Sequence, residues 1–194
     1  MKAISTQTTD VQLVQSFQEG DTGALEVLLD RYQDRIFSAI NFLVKDKFLA
    51  EDLFQDAFIK IIDTLRAKRY NEEGKFLPWA MRIAHNLCVD HFRKVKRTPS
   101  ILTSDYHDIF ETIDVNEDPA DKAMMQGQSH ESVRQIVDML PAEQREVVVL
   151  RHYADLSFKE IAQLTNCSIN TALGRMRYGL MNIRKMVAEK QIAL

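Results

Sequence analysis

The chain has 194 residues, 45% of them hydrophobic, and a formal net charge of -3. This hydrophobic fraction supports a folded core and excludes wholesale disorder, and the length suits one sizeable domain or two small ones. No segment approaches the roughly 18 apolar residues of a membrane-spanning helix, and residues 1–20 lack the apolar run of a signal peptide. We therefore expect a cytoplasmic, soluble protein. The few glycines (6) and prolines (4) favour helices over a β architecture with many turns.

The residues that carry chemistry form no pattern typical of an enzyme or a metal site. Cys88 and Cys167 lie far apart, no CxxC occurs, and the histidines show no ligand spacing. The GxSxG, P-loop and HExxH motifs are also missing. We therefore expect no catalytic residue, no metal, no cofactor and no small-molecule substrate. Both thiols are expected to be reduced.

Residues 10–97 are predicted to form a first helical domain. Apolar residues recur at three- to four-residue spacing in a short helix capped by Asp10 and in two longer helices separated by a turn at 45–47. A polar loop around Gly74 precedes a fourth helix, which tolerates Pro78 only in its first turn. The residues expected to face this core are Leu13, Val14, Phe17, Leu25, Leu28, Leu29, Tyr32, Ile36, Ile40, Leu43, Leu49, Leu53, Ala57, Ile61, Leu65, Trp79, Ile83 and Leu87.

Residues 98–128 differ in composition from the helices on either side. They contain seven acidic residues and a single basic residue, Lys122, together with two prolines and no clean periodicity. This composition is typical of an extended, flexible linker. The sequence therefore predicts an all-α protein of two helical domains, residues 10–97 and 129–190, joined by an acidic linker.

The second domain contains a predicted helix pair between residues 157 and 185. A capping box begins the first helix, a small residue allows the two helices to cross, an Asn tolerates a left-handed turn, and a Ser caps the second helix. These residues are Ser157 with Glu160, Ala162, Asn166 and Ser168. Together they predict a helix-turn-helix, preceded by a helix that begins after Pro141.

The second helix of this pair is predicted to read DNA. At about 100° per residue, its large apolar side chains fall on one side, which we expect to face the core. Those residues are Ile169, Leu173, Met176, Leu180, Ile183 and Val187. The opposite side is small near its beginning and basic further on, which suits entry into the major groove. The predicted DNA-binding residues are Asn170, Thr171, Gly174, Arg175, Arg177, Tyr178 and Lys185.

Two motif sets give the chain a family resemblance. The stretch LPAEQREVVVLRHYADLSFKEIA and the helix pair resemble region 4 of bacterial sigma factors of the extracytoplasmic-function (ECF) type, in the sigma-70 family. The stretch AEDLFQDAFIKI resembles the region 2 motif that docks on the polymerase clamp, and FLPWAMRIAHNLCVDHFRK is similar to the helix that engages the −10 element. The resemblance implies a subunit that directs core RNA polymerase to promoters. Its implied partners are the β′ clamp and β flap of the core enzyme, promoter DNA and an anti-sigma factor.

The resemblance also implies particular site residues. The implied contacts to core polymerase are Asp52, Leu53, Gln55, Asp56 and Phe58. Of these, Leu53 is expected to lie mainly in the core. The resemblance assigns the −35 element to the helix-turn-helix and the −10 element to the helix that follows the loop around Gly74. The implied contacts to the −10 element are Arg82, His85, Asn86, Phe92, Arg93 and Lys96. The loop Lys68–Lys75 is implied to hold a flipped base, and the acidic linker to imitate nucleic acid in the polymerase channel.

One alternative function stays open at the level of sequence. An autonomous helix-turn-helix regulator could carry the same reading helix on a first domain that senses a ligand or dimerises. The clamp-like motif favours the sigma subunit. A sigma subunit can also be acidic overall, because the core enzyme supplies most of the nonspecific grip on DNA. Co-purification with core polymerase separates the two functions.

Overall fold

The computed structural model describes residues 8–71, 74–97 and 133–190, with the side chains of Lys96, Arg97 and Lys190 left out. Every regular element in these ranges is a helix, which confirms the all-α prediction. The helices are α1 (Asp10–Gln18), α2 (Thr22–Val44), α3 (Lys47–Arg66), α4 (Phe76–Arg97), α5 (133–138), α6 (Ala142–Tyr153), α7 (Phe158–Leu164) and α8 (Ile169–Lys190). The predicted linker lies outside the described residues. No helix among those described is both long and apolar enough to cross a membrane.

The first four helices form one bundle around the predicted apolar stripes. The stripe of α3 is the clearest case, because Leu53, Ala57, Ile61 and Leu65 are all buried. The connection between α2 and α3 is short because Lys45 adopts a left-handed conformation and Asp46 immediately caps α3. Such a short connection holds the two helices side by side.

The prediction that Asp10 caps α1 was wrong. Thr9 is the cap, and it forms a capping box with Gln12. Asp10 is the first helical residue, and its carboxylate instead binds Arg31 and Tyr32 of α2. A side-chain cap must lie one residue before the helix, and Thr is among the residues preferred there.

An aromatic cluster closes the first bundle at the start of α4. The ring of Trp79 lies 4.2 Å from that of Tyr70 and 5.7 Å from that of Phe76, measured between centroids. Trp79 is half-buried against the core, and Pro78 lies in the first turn of α4 as predicted. The cluster fixes the direction in which α4 leaves the loop.

The second bundle consists of α5 to α8. The guanidinium of Arg145, buried in α6, donates to the carbonyls of Asp138 and Leu140 at the end of α5. Arg151 donates to the carbonyl of Leu156 at 2.8 Å and lies 5.5 Å from the ring centre of Phe158. Arg145 thus holds the connection between α5 and α6 in place, and Arg151 holds the connection between α6 and α7.

The two bundles pack against each other, mainly through α2 and α6. The rings of Phe42 and Tyr153 lie 5.4 Å apart. Arg35 of α2 donates to the carboxylate of Asp155 at 2.7 Å, in the turn that precedes α7. This contact between the bundles brings α4 next to the helix-turn-helix.

Candidate nucleic-acid interface

The turn of the predicted helix-turn-helix forms as expected from its cap residues. Ser157 and Glu160 form a capping box at α7, and Asn166 adopts a left-handed φ of 51°. Ser168 caps α8, since its hydroxyl oxygen accepts from the amide of Thr171 at 3.0 Å. Ala162 is buried where the helices cross. This confirms the predicted geometry between the supporting helix and the reading helix.

The predicted rotation of α8 was only partly right. Ile169, Leu173 and Leu180, which we expected to face the core, are exposed. The buried contact is made instead by Ala172 and Gly179. A Cβ atom at position 179 would lie 3.2 Å from the side chain of Val148 in α6, which shows how closely the two helices approach. Close helix crossing needs small residues, so the larger apolar side chains are displaced to the flank.

Most of the residues predicted to bind the −35 element share an accessible side of α8. Asn170, Thr171, Arg177, Tyr178 and Lys185 are exposed, and Tyr178 reaches 61%. Gly174 and Arg175 are half-buried. Apart from its chain neighbours and the backbone of its own helix turn, no protein atom lies within 4 Å of a Cβ built on Gly174, so the space beside it is open. These residues form a surface that a DNA groove can reach.

His85, predicted to face DNA from α4, is buried at 3% relative exposure. Its Nε2 donates to the Glu146 carboxylate of α6 at 2.8 Å, whereas its Nδ1 is buried with no hydrogen-bond partner in the described structure. As an implied −10 contact, His85 was expected to be accessible, which is wrong in the packed arrangement of the bundles, because the second bundle covers this side of α4.

A second contact covers the beginning of the same helix. Arg82 and Lys75 lie 3.5 Å and 3.7 Å from the Glu160 carboxylate. Burial alone would raise the pKa of Glu160, but the hydrogen bonds from Ser157 and the charges of Lys75 and Arg82 outweigh it and lower this pKa. Glu160 therefore presents a stable negative charge to α4.

The other predicted −10 contacts are differently placed. Asn86 and Arg93 are exposed, and Arg93 forms an ion pair with Asp90 at 3.5 Å. Phe92 is half-buried and packs beside the ring of His91. The side chain of Lys96 lies outside the described residues, as does part of the loop Lys68–Lys75. Of the predicted −10 contacts with described side chains, Asn86 and Arg93 are thus the exposed ones.

The clamp-like motif forms an exposed face of α3. Asp52, Gln55 and Asp56 are exposed, whereas Leu53 is buried as expected. Phe58 is half-buried, with its ring 4.4 Å from that of Phe54. The three polar residues therefore present the motif, and the two apolar ones support it from beneath.

Two apolar residues extend this face of α3 at its ends. Phe48 is 79% exposed and Ile59 is 57% exposed. Phe48 was not among the predicted contacts. Its position one turn before Asp52 is the signal that would have included it, because residues four apart share a helix face. An exposed patch that mixes apolar and acidic residues is suited to protein binding.

A cavity lies between the bundles, beside the buried His85. It measures about 180 Å³ and is bounded by Cys88 and Phe92 of α4 and by Glu146 of α6. Burial raises the pKa of Cys88 to about 12, so this thiol stays protonated at neutral pH. No group of three potential metal ligands occurs among the described residues.

The residues that join the two bundles carry no signal in the sequence. Glu160 was predicted only as part of the capping box, and no partner in the other domain was predicted for Glu146, Arg35 or Asp155. Their partners lie between 61 and 120 positions away in the chain. No local spacing signals a contact at such a separation.

The chain is similar to one family of proteins over two separate segments. The family model described as Sigma-70 region 2 matches residues 28–98, and the model described as Sigma-70, region 4 matches residues 130–174. Together these matches span more than half of the chain. The first includes α3 and α4, and the second includes the helix-turn-helix.

Curated relatives and solved structures agree with this similarity. The RNA polymerase sigma-H factor of Pseudomonas aeruginosa is 31% identical over 175 residues, which cover 88% of this chain and 90% of the relative. The ECF RNA polymerase sigma-E factor of Escherichia coli K12 is 31% identical over 180 residues, or 89% and 91% of the two chains.

Two solved complexes share the fold. RpoE of Bartonella quintana, solved with the anti-sigma factor NepR, has a TM-score of 0.60 at 18% identity and covers 84% of this chain and 96% of its own. CnrH, solved with the cytosolic domain of CnrY, has a TM-score of 0.61 at 18% identity, covering 93% and 97%. At this identity the similarity concerns the fold alone.

Proposed function

The chain belongs to the sigma-70 family, ECF type, and from this premise we propose how its surfaces bind polymerase and promoter. It functions as a sigma factor in transcription initiation. Residues 10–97 are the region 2 domain and residues 129–190 the region 4 domain. The observation that carries the proposal is the presence of both family regions in one chain, each with an accessible surface in the expected place.

The exposed face of α3 binds the core enzyme in this proposal. Asp52, Gln55 and Asp56 meet the β′ clamp, and the neighbouring Phe48 and Ile59 supply apolar contact area. The support is the exposure of these five side chains along one side of a single helix. An acidic face flanked by apolar side chains combines charge complementarity with apolar burial, which is common at protein interfaces.

The promoter is bound by two helices. The exposed side of α8 contacts the −35 element, and α4 contacts the −10 element through Arg82, His85, Asn86, Phe92, Arg93 and Lys96. Basic and aromatic residues on one helix suit an opened strand, which offers phosphates and unstacked bases together. Region 4 also meets the β flap, and the acidic linker at 98–128 occupies the polymerase channel.

The remaining properties follow from the family. Sigma factors are not enzymes, and we propose that this chain has no catalytic residue or cofactor of its own. It acts in the cytoplasm, where core polymerase is found. An anti-sigma factor is a further proposed partner, because the RpoE structure that shares this fold was solved with one.

The test is assembly with core polymerase after charge reversal on α3. We expect Asp52→Lys with Asp56→Lys to weaken core binding by at least about tenfold, since two acidic contacts become repulsive. Both residues are exposed, so the free energy of unfolding should change little. Binding is measured by titrating labelled core enzyme with each variant.

The matched control is Asp30→Lys with Asp34→Lys on α2. These residues are also exposed, four positions apart, and make no ion pair among the described residues. They change the net charge by the same amount, and core binding should stay close to that of the wild type. Unchanged binding by the α3 variant would show that the clamp surface is assigned to the wrong face.

A further inference from the structure

The α4 helix faces two carboxylates of the second bundle. His85 donates to Glu146 at 2.8 Å, while Arg82 and Lys75 lie 3.5 Å and 3.7 Å from Glu160. All three cationic or donor side chains belong to the first bundle or to the loop that leads into α4. Both carboxylates belong to the helix-turn-helix domain. The contact therefore joins the two domains at the face proposed to bind the −10 element.

Glu160 is held in position by its own helix. Its carboxylate accepts from the amide of Ser157 at 2.9 Å and from the hydroxyl at 2.7 Å. The side chain is only 18% exposed, and its pKa is lowered, so the charge is present at neutral pH. A carboxylate fixed in this way loses little side-chain freedom when it binds Arg82.

Carboxylates and DNA phosphates bind the same donors. The N–H groups of a guanidinium donate equally well to either kind of oxygen, and an imidazole N–H does the same. His85 is 3% exposed while the bundles are packed together, so a DNA strand cannot reach it. The two acceptors are therefore mutually exclusive at this face.

We propose that Glu146 and Glu160 form an interdomain clasp, which imitates promoter phosphates and keeps the −10 face of α4 closed in the free subunit. DNA binding through this face then requires the two bundles to separate. The clasp rests on the proposed function, because it takes α4 as the helix that binds the −10 element.

The clasp is suited to reversible opening. Its ion pairs lie at the edge of the interface, where Lys75 and Arg82 are 65% and 43% exposed, so each pair is weak on its own. Arg35 and Asp155 add a similar contact at 2.7 Å, at a distance from α4. If the open state is a minor population, the apparent affinity for DNA falls in proportion to that population.

The test compares the wild-type protein with a clasp variant that carries both Glu146→Gln and Glu160→Gln, each as the full chain. Glutamine keeps the capping box at α7, so the variant should fold. The probe is a fluorescein-labelled, random-sequence single-stranded DNA oligonucleotide, with binding followed by anisotropy in the absence of core enzyme. We expect the Kd to fall about three- to tenfold, together with an increase in the radius of gyration measured by small-angle X-ray scattering.

A second variant separates opening from local charge. Asp155→Asn removes the negative charge that pairs with Arg35 without touching α4, and Asn tolerates the left-handed φ of 53° at this position. It should also tighten DNA binding and expand the protein. The control, Glu26→Gln with Glu143→Gln, removes two exposed carboxylates that form no ion pair among the described residues. It should change the radius of gyration little.

The outcomes separate the clasp from the proposed function. If the clasp variant binds DNA no better than the control variant, or does not expand, the clasp is wrong. Core binding is measured for every variant as an independent readout, because α3 is unchanged in all of them. Assembly of the wild type with core polymerase would leave the proposed function intact even then. Failure of the wild type to assemble would contradict the function, whatever the clasp variants do.

Discussion

Arg177 and Lys185 extend from the same exposed side of α8, two turns apart, and differ in the contacts they can make with DNA. The planar guanidinium of Arg can bind guanine through two hydrogen bonds, whereas the ammonium of Lys acts at a phosphate as a point charge. Arg177 lies earlier in the helix, where side chains would reach base edges in the proposed docking of α8. Lys185, which is paired with Glu189 at 3.8 Å, lies where a groove-bound helix meets the backbone.

We predict that Arg177→Ala costs about 1–3 kcal/mol on the preferred promoter and relaxes the preference at one −35 position. Lys185→Ala should weaken all promoters alike and reduce the salt slope by about 1. The measurement is holoenzyme binding and transcription across promoters with each −35 base varied, at several salt concentrations. Equal losses on every promoter would make Arg177 a phosphate contact, with Tyr178 the next candidate for base readout.

Glu160 predicts a pH dependence of stability. Its pKa is lower in the folded protein than in the unfolded chain, so its ionised form stabilises the fold. This contribution is present at neutral pH and is lost as the pH falls below the ordinary pKa of a glutamate and through the lowered one. Glu160→Gln should therefore destabilise the protein most at neutral pH, and less on acidification.

Urea denaturation of the two proteins over a pH series checks this prediction. The loss should be modest, about 1 kcal/mol or less, because the partners Lys75 and Arg82 are partly exposed. Glu143→Gln is the control, since that exposed residue makes no ion pair among the described residues. A difference in the free energy of unfolding for Glu160→Gln that widened on acidification would contradict a lowered pKa of Glu160 in the folded protein.

At the scale of the element, two glycines of α8 have different environments. Gly179 is buried, and a Cβ there would meet the Val148 side chain at 3.2 Å. Gly174 has open space around it. Both have helical neighbours, so helix propensity alone favours replacing either one with alanine. Packing against α6 distinguishes them.

We predict that Gly174→Ala raises the free energy of unfolding by up to about 1 kcal/mol, through helix propensity. Gly179→Leu should lower it by about 1–3 kcal/mol, because a branched side chain overpacks the contact with α6. Chemical denaturation of both variants measures the two values. If Gly179→Leu is as stable as the wild type, α8 does not pack as closely on α6 as the structure indicates.

At the scale of the whole molecule, the packing of the bundles leaves few basic side chains available to DNA. Carboxylates of the second bundle partly neutralise the basic groups at the start of α4, so the exposed side of α8 is the main basic surface in the described structure. We predict that the isolated protein binds duplex promoter DNA weakly, and that the holoenzyme binds it well. The DNA for this test is duplex DNA that co-purifies with the holoenzyme. Gel-shift titration with and without core enzyme then measures the difference in affinity for it. Tight, specific binding by the free subunit would instead favour an autonomous regulator.

Much of the fold was predictable because its signals are local. The stripe of α3, the capping box at Ser157 and the left-handed Asn166 each depend on residues within one or two turns. The motif of α3 also indicated its exposed face correctly, since Asp52 and Asp56 fall opposite the buried apolar residues. Periodicity separates a buried side of a helix from an exposed one whenever the large apolar residues form the contact.

The rotation of α8 about its axis and the burial of His85 in α4 depended on the tertiary structure. In α8 the closest contact is made by Ala172 and Gly179, whose small size gives them little weight in an apolar pattern. In α4, His85 was expected to be accessible to DNA, and the packing of the other bundle buried it beside Glu146. The sequence by itself determined the helices, the caps of the helix-turn-helix and the family. Contacts between residues 61 or more positions apart carry no local signal, so the burial of His85 beside Glu146 was decided by tertiary packing alone.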